Sequence, residues 1–161
     1  MTQGWSDFYV AVAGASAALA GLIIVAMSVT IKQILASRTL PSRAGATISS
    51  MVLILVLAIL GLMPQSDVAL GIEIIVASAI ALLPPLLMSQ RVLTDTTYQV
   101  SMLIRVSRVI MGVVPVALAL VGGILVIGGL GAGLFLVAAG IALIFALSML
   151  NAWVLLVEVQ R

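Results

Sequence analysis

The chain has 161 residues, of which 64% are hydrophobic and 7% charged, with a formal net charge of +2. A soluble domain carries about 25% charged residues, so a chain this apolar belongs in a membrane. Its few cations then read as loop anchors, with the lipid bilayer as their partner and no nucleic acid expected. Histidine and cysteine are both absent, which removes disulfides, thiolate or imidazole metal ligands, Cys nucleophiles, Ser-His dyads and ordinary haem ligation together. No enzyme, catalytic residue, cofactor or metal is implied.

A spanning helix needs about 20 apolar residues at about 1.5 Å rise each. The first stretch of that length covers residues 8–31. No Lys or Arg precedes it, so it lacks the basic leader and short core of a cleavable signal and is expected to be a permanent anchor. Gly14, Ala18, Gly21, Val25 and Ser28 recur along one face at alternating four- and three-residue steps. Small residues let helix backbones approach where lipid is as apolar as Leu, so Gly14, Ala18 and Gly21 point to helix packing inside the chain or between subunits. The sharper alternative is a pore-lining helix, with Asp7 and Ser6 at its mouth concentrating cations and Ser28 further along the path.

The second and third spans, 41–63 and 68–88, are separated only by Pro64, Gln65, Ser66 and Asp67, a tight hairpin turn. Glu73 is the only acid within an expected span, six residues past Asp67 and hence about 9 Å down the helix. At that depth it can snorkel or hydrogen-bond as a structural group, or bind a cation or proton beside Asp7 and Ser28 on an ion pathway. Pro84-Pro85 is expected to bend and end this helix as it leaves the membrane.

Residues 89–106 form the one sizeable extramembrane piece. Thr94 or Asp95 is placed to cap a helix over about 95–106 that runs into the fourth span, 107–128. Arg105 and Arg108, three apart, share a face of it that meets lipid head groups or a partner protein. Pro115 deletes the bond its N–H would make to the Met111 carbonyl and is expected to kink the fourth span near Gly112. The glycine-rich GGLGAG at 128–133 reverses the chain into the fifth span, 131–157, and lacks the Lys and Ser/Thr of a nucleotide loop. Gly122 and Gly123, with Gly131, Gly133 and Gly140 opposite, suit a closely packed hairpin.

All seven Lys and Arg residues fall in alternate gaps. Lys32, Arg38 and Arg43 follow the first span, Arg91, Arg105 and Arg108 follow the third, and Arg161 ends the chain. Cationic short loops stay in the cytoplasm, which predicts an N-out, C-in arrangement. Trp5, Phe8 and Tyr9 then sit at the outer end of the first helix, and Trp153 near the inner end of the last, where interfacial aromatics belong.

The stretches GWSDFYVAVAGASAALAGLIIVAMSV (4–29), LPSRA (40–44), GIEII (71–75) and NAWVLLVEVQR (151–161) resemble a family of small, largely uncharacterised bacterial inner-membrane proteins. Some of these carry the label of modulator of an FtsH-type membrane protease. The resemblance covers under half the chain and implies a bacterial plasma-membrane location and a membrane-protein partner. Where similar proteins read Asp-Ala-Trp, this chain has Asn151-Ala152-Trp153, so no role for an acid carries over. Residues 16–29 are also similar to the pore helix of hexameric calcium-release-activated channels. The selectivity Glu of that helix is missing here, and shared small-residue packing accounts for the likeness.

The expected architecture is an all-α polytopic transmembrane bundle of five spanning helices, one domain over residues 1–161, assembled as a homo-oligomer. Two functions follow from it. One is a passive ion or small-solute channel lined by the first helix; the other is a non-enzymatic regulator or scaffold that binds another membrane protein, such as a membrane protease.

Overall fold

The computed structural model describes residues 4–36, 40–94 and 102–159. Among these the chain is all-α, with six helices: α1 Ser6–Val29, α2 Ile31–Ala36, α3 Leu40–Leu62, α4 Asp67–Thr94, α5 Met102–Ile127 and α6 Ala132–Val159. Five of them contain segments long and apolar enough to cross a membrane, Ser6–Val29, Leu40–Leu62, Asp67–Pro84, Val109–Ile127 and Ala132–Val154. Helices satisfy their own backbone groups, which hydrocarbon demands, and the chain is that of an integral multi-pass membrane protein.

The elements depart from the sequence expectation in two places. The first apolar stretch does not run unbroken through Ile31. At Thr30 the backbone N–H donates to the Met27 carbonyl at 3.2 Å, a tightened turn, and the Thr30 hydroxyl donates to the Ala26 carbonyl at 3.1 Å. A β-branched residue whose hydroxyl competes for the helix's own acceptors is a weak point in a helix. α2 restarts there, with Ile34 N–H donating to the Thr30 carbonyl at 3.1 Å.

The second departure is at Pro84-Pro85, where α4 does not end but continues to Thr94. Each proline removes one intrahelical donor, yet the bonds on either side carry the helix through, as neighbouring groups allow in a spanning helix. α5 likewise runs through Pro115 as one helix. The expected extension over 95–106 falls partly on residues 95–101, outside the described residues; 102–106 open α5.

Both short turns follow local chemistry. α3 stops before Pro64, and the Ser66 hydroxyl accepts the Ala69 N–H at 3.2 Å, capping α4. α5 ends in a glycine cap. Gly129 adopts φ 73°, its N–H donates to Val126 O, and Leu130 N–H donates to Leu125 O, both at 3.0 Å. A side chain at Gly129 would be strained in that left-handed conformation.

The chain divides into two compact units. One comprises Met1–Pro64 with Leu143–Arg161, the other Gln65–Ala142. In the first, α1 and α3 run antiparallel. Tyr9, wholly buried, lies flat against Gly61, where an added Cβ would stand 2.6 Å from the ring Cε2. Met51, Ile54, Leu57 and Ala58 fill the core along α3.

In the second unit, glycines set the helix spacing. A Cβ on Gly71 of α4 would stand 2.7 Å from the Gly123 carbonyl of α5, and one on Gly123 would stand 3.0 Å from the Gly71 carbonyl. Along the hairpin, Gly122 and Gly133 are related in the same reciprocal way at 2.7 Å, and Gly140 meets the Pro115 carbonyl at 2.7 Å. Backbones this close gain dispersion and weak Cα–H···O contacts, which bind helices where no hydrophobic effect operates between them. Gly131, included in the expected packing set, is exposed with nothing within 4 Å of an added Cβ.

Candidate functional site

The small residues expected to pack along the first helix are exposed in the described structure. α1 turns Tyr9, Ser16, Ile23 and Met27 inward. Asp7, Ala11, Gly14, Ala18, Gly21, Val25 and Ser28 are all exposed. Their steps alternate four and three along the helix, so together they form one stripe. A Cβ added at Gly14 or Gly21 would meet nothing within 4 Å. Within the first unit no described side chain or backbone closes on either glycine. The close glycine contacts belong to Gly61, Gly71, Gly122, Gly123, Gly133 and Gly140.

Polarity on this stripe is confined to its ends. Asp7 sits in the first turn of α1, where the helix dipole favours an anion. Ser28, 21 residues on and hence about 31 Å along the axis, spends its hydroxyl on the Val25 carbonyl at 2.8 Å. Between them the stripe carries only Ala, Gly and Val.

Glu73 belongs to the second unit, whereas Asp7 and Ser28 belong to the first. Its Oε2 accepts a hydrogen bond from Gln65 Nε2 at 2.9 Å, and the residue is half-buried. The contact is made possible by the turn: Ser66 caps α4, which sets Gln65 just before the helix and two turns from Glu73. A side chain that accepts from an amide near the end of a span suits the structural one of the two roles expected of Glu73. Sequence reasoning did not pair it with Gln65, although Gln65 is the one amide in the 64–67 turn.

Among the described residues no three His, Cys, Asp or Glu side chains gather as a metal site requires. The hydroxyls of Ser16, Thr47 and Ser50 donate to carbonyls three or four residues back in their own helices, the usual way a small polar residue is accommodated in a span. Tyr9 Oη and Ser78 Oγ are buried with no hydrogen-bond partner. Pro115 is buried at the α5–α6 contact with Gly140. Arg105 lies on α5 near its start and Arg108 one turn further; their side chains lie outside the described residues.

These features define a class: a polytopic α-helical membrane protein whose first helix carries an exposed stripe of small residues. No family model, curated protein or solved structure matches the chain.

Proposed function

We propose that copies of this chain assemble along the exposed α1 stripe in a bacterial plasma membrane, N-out and C-in, and that the assembly is a passive pathway for cations or small solutes. The observation that supports it is the exposure of the whole stripe from Asp7 to Ser28, with open space over Gly14 and Gly21. A small-residue face left bare in the chain is satisfied by another helix at close range. In a ring of copies Asp7 gathers cations at the outer mouth, and the Ala, Gly and Val between the ends form an apolar passage that gates by wetting.

The chain has no native cysteine, so single substitutions report cleanly. Gly14→Cys and Gly21→Cys are expected to cross-link copies on mild oxidation, because the Cα atoms of a close helix pair fall within the about 7 Å a disulfide tolerates. Purified protein in liposomes is expected to pass monovalent cations, with less flux in Asp7→Asn. Absence of cross-links together with absence of flux would remove the reading. Unchanged flux in Glu73→Gln would leave Glu73 its structural role alone.

A second reading has its own support. The stripe is apolar for its whole length between Asp7 and Ser28, which also suits a dry seam. On that reading the chain is a regulator or scaffold whose α1 docks on another membrane protein, such as the membrane protease named by its resemblance. Cross-linked dimers with no flux would favour it.

A further inference from the structure

Where α1 ends, a groove of about 490 Å³ opens between α1, α2 and the start of α3, within the size range of small-molecule sites, about 300–1,000 Å³. Its walls include Met27 and Ser28 from α1, Ile31 and Leu35 from α2, and Ala44 and Gly45 from α3. Between Pro41 and Ile48, α3 offers only the small Ala44 and Gly45 to the groove; a Cβ added at Gly45 would meet nothing within 4 Å. Ser28 presents no free donor to it, since its hydroxyl is bonded to Val25 O.

We infer that this groove holds one acyl chain of an anionic phospholipid, with Lys32 meeting the phosphate. α2 is built for the task. Ile31, Ile34 and Leu35 face the groove, while Lys32 and Gln33 are exposed. Lys32 and Leu35 are three apart, neighbours on the helix surface, so the ammonium reaches the rim by extending along the apolar wall. The charge of this stretch of sequence has one sign. Lys32 of α2 and Arg43 of α3 flank the groove, and no carboxylate occurs between Asp7 and Asp67. A second copy of the chain docked symmetrically here would bring the same cations to the same place, whereas a lipid with net negative charge complements them. A zwitterionic lipid brings its own cation and gains less. One Lys beside an anionic lipid surface corresponds to about a fivefold preference.

The test uses the full-length protein in detergent, titrated with phosphatidylglycerol or phosphatidylcholine of identical acyl chains, with bound lipid counted by native mass spectrometry. Wild type is expected to take up phosphatidylglycerol several-fold better. Lys32→Gln should lower that preference about fivefold without changing phosphatidylcholine binding, and Lys32→Arg should retain it. Gly45→Leu fills the groove and should weaken both lipids at least tenfold at unchanged melting temperature. Gly45→Val provides the same arm should the leucine variant misfold. Equal uptake of both lipids by wild type, or binding indifferent to the Gly45 substitutions, overturns the inference. So does displacement by free glycerol phosphate, which identifies a soluble-anion site, or an altered oligomeric state in Gly45→Leu, which identifies a second copy as the occupant. None of these readouts requires the α1 assembly.

Discussion

Gly122→Ala puts one methyl group where two backbones touch. Its Cβ would lie 2.7 Å from the Gly133 carbonyl oxygen, 2.7 Å from Val137 Cγ2 and 2.9 Å from the Val137 nitrogen. Ordinary contact begins near 3.4 Å, so α6 must retreat by roughly 0.7 Å at this point; a radial gap of about 0.5–1 Å already forfeits a quarter to a half of each dispersion contact it opens. Two of the three obstructing atoms are main chain and have no rotamer to escape into. Overpacking of this kind costs about 1–3 kcal/mol. The gain of about 1 kcal/mol that alanine brings to a helix in water offsets little of it, because a spanning helix stays helical when its neighbours separate. The expected loss is thus about 1–3 kcal/mol, roughly 5- to 160-fold in the folding equilibrium. It is measured by reversible unfolding in mixed micelles, with Gly45→Ala as the matched substitution in open space, expected within about 0.5 kcal/mol of wild type. Equal stabilities of the two variants would refute the reasoning that backbone approach at Gly122 holds the hairpin.

Three further outcomes are expected. Tyr9→Phe removes a buried hydroxyl that has no partner and keeps the ring against Gly61, so it should stabilise the fold by about 1 kcal/mol, read as a higher melting temperature; a destabilised Tyr9→Phe would mean the hydroxyl is bonded after all. Ser66→Ala deletes the cap on Ala69 N–H and should cost about 1 kcal/mol in the same unfolding assay, with Ser66→Asp restoring most of it. On the proposed N-out, C-in orientation, Ser66→Cys should react in intact cells with a membrane-impermeant maleimide, whereas Gln33→Cys, in the basic loop, should react only after lysis; the opposite pattern would overturn that orientation.

The spans were legible because length and apolarity alone specify them. Segment 41–63 corresponds to α3 Leu40–Leu62, and 107–128 overlaps α5 Met102–Ile127 in all but its last residue. The turns were legible from Pro64 and from GGLGAG, where backbone reversal has few chemical solutions. The break at Thr30 was not, since Ile31 continues the apolar run and hydropathy is blind to a hydroxyl competing for a carbonyl. Least legible was the inward face of each helix. In water the polar side of a helix names its outer face. Here Leu22 is 70% exposed and Val29 79% exposed, because lipid accepts what a core would. The small-residue rhythm of α1 therefore marked a face suited to close packing, but not that Gly14 and Gly21 stand in open space. Tyr9, Ser16, Ile23 and Met27, a set with no common chemistry, form the inward face instead. Glu73 was visible as a lone acid, and its partner Gln65 emerged only once the turn had a conformation.

The glycine contacts also decide which positions can trade with one another over mutational time. Tyr9 and Gly61 form an unequal pair, a large ring on a residue without a side chain, and volume added at Gly61 has a donor: a smaller side chain at position 9 returns the space, so paired changes there should couple strongly and restore one another. Gly122 and Gly133 are both already at the minimum size. Nothing can be subtracted from either to make room for the other, and the main chain is what they touch. The first contact is negotiable between its partners, while the second admits no compensating change within the pair.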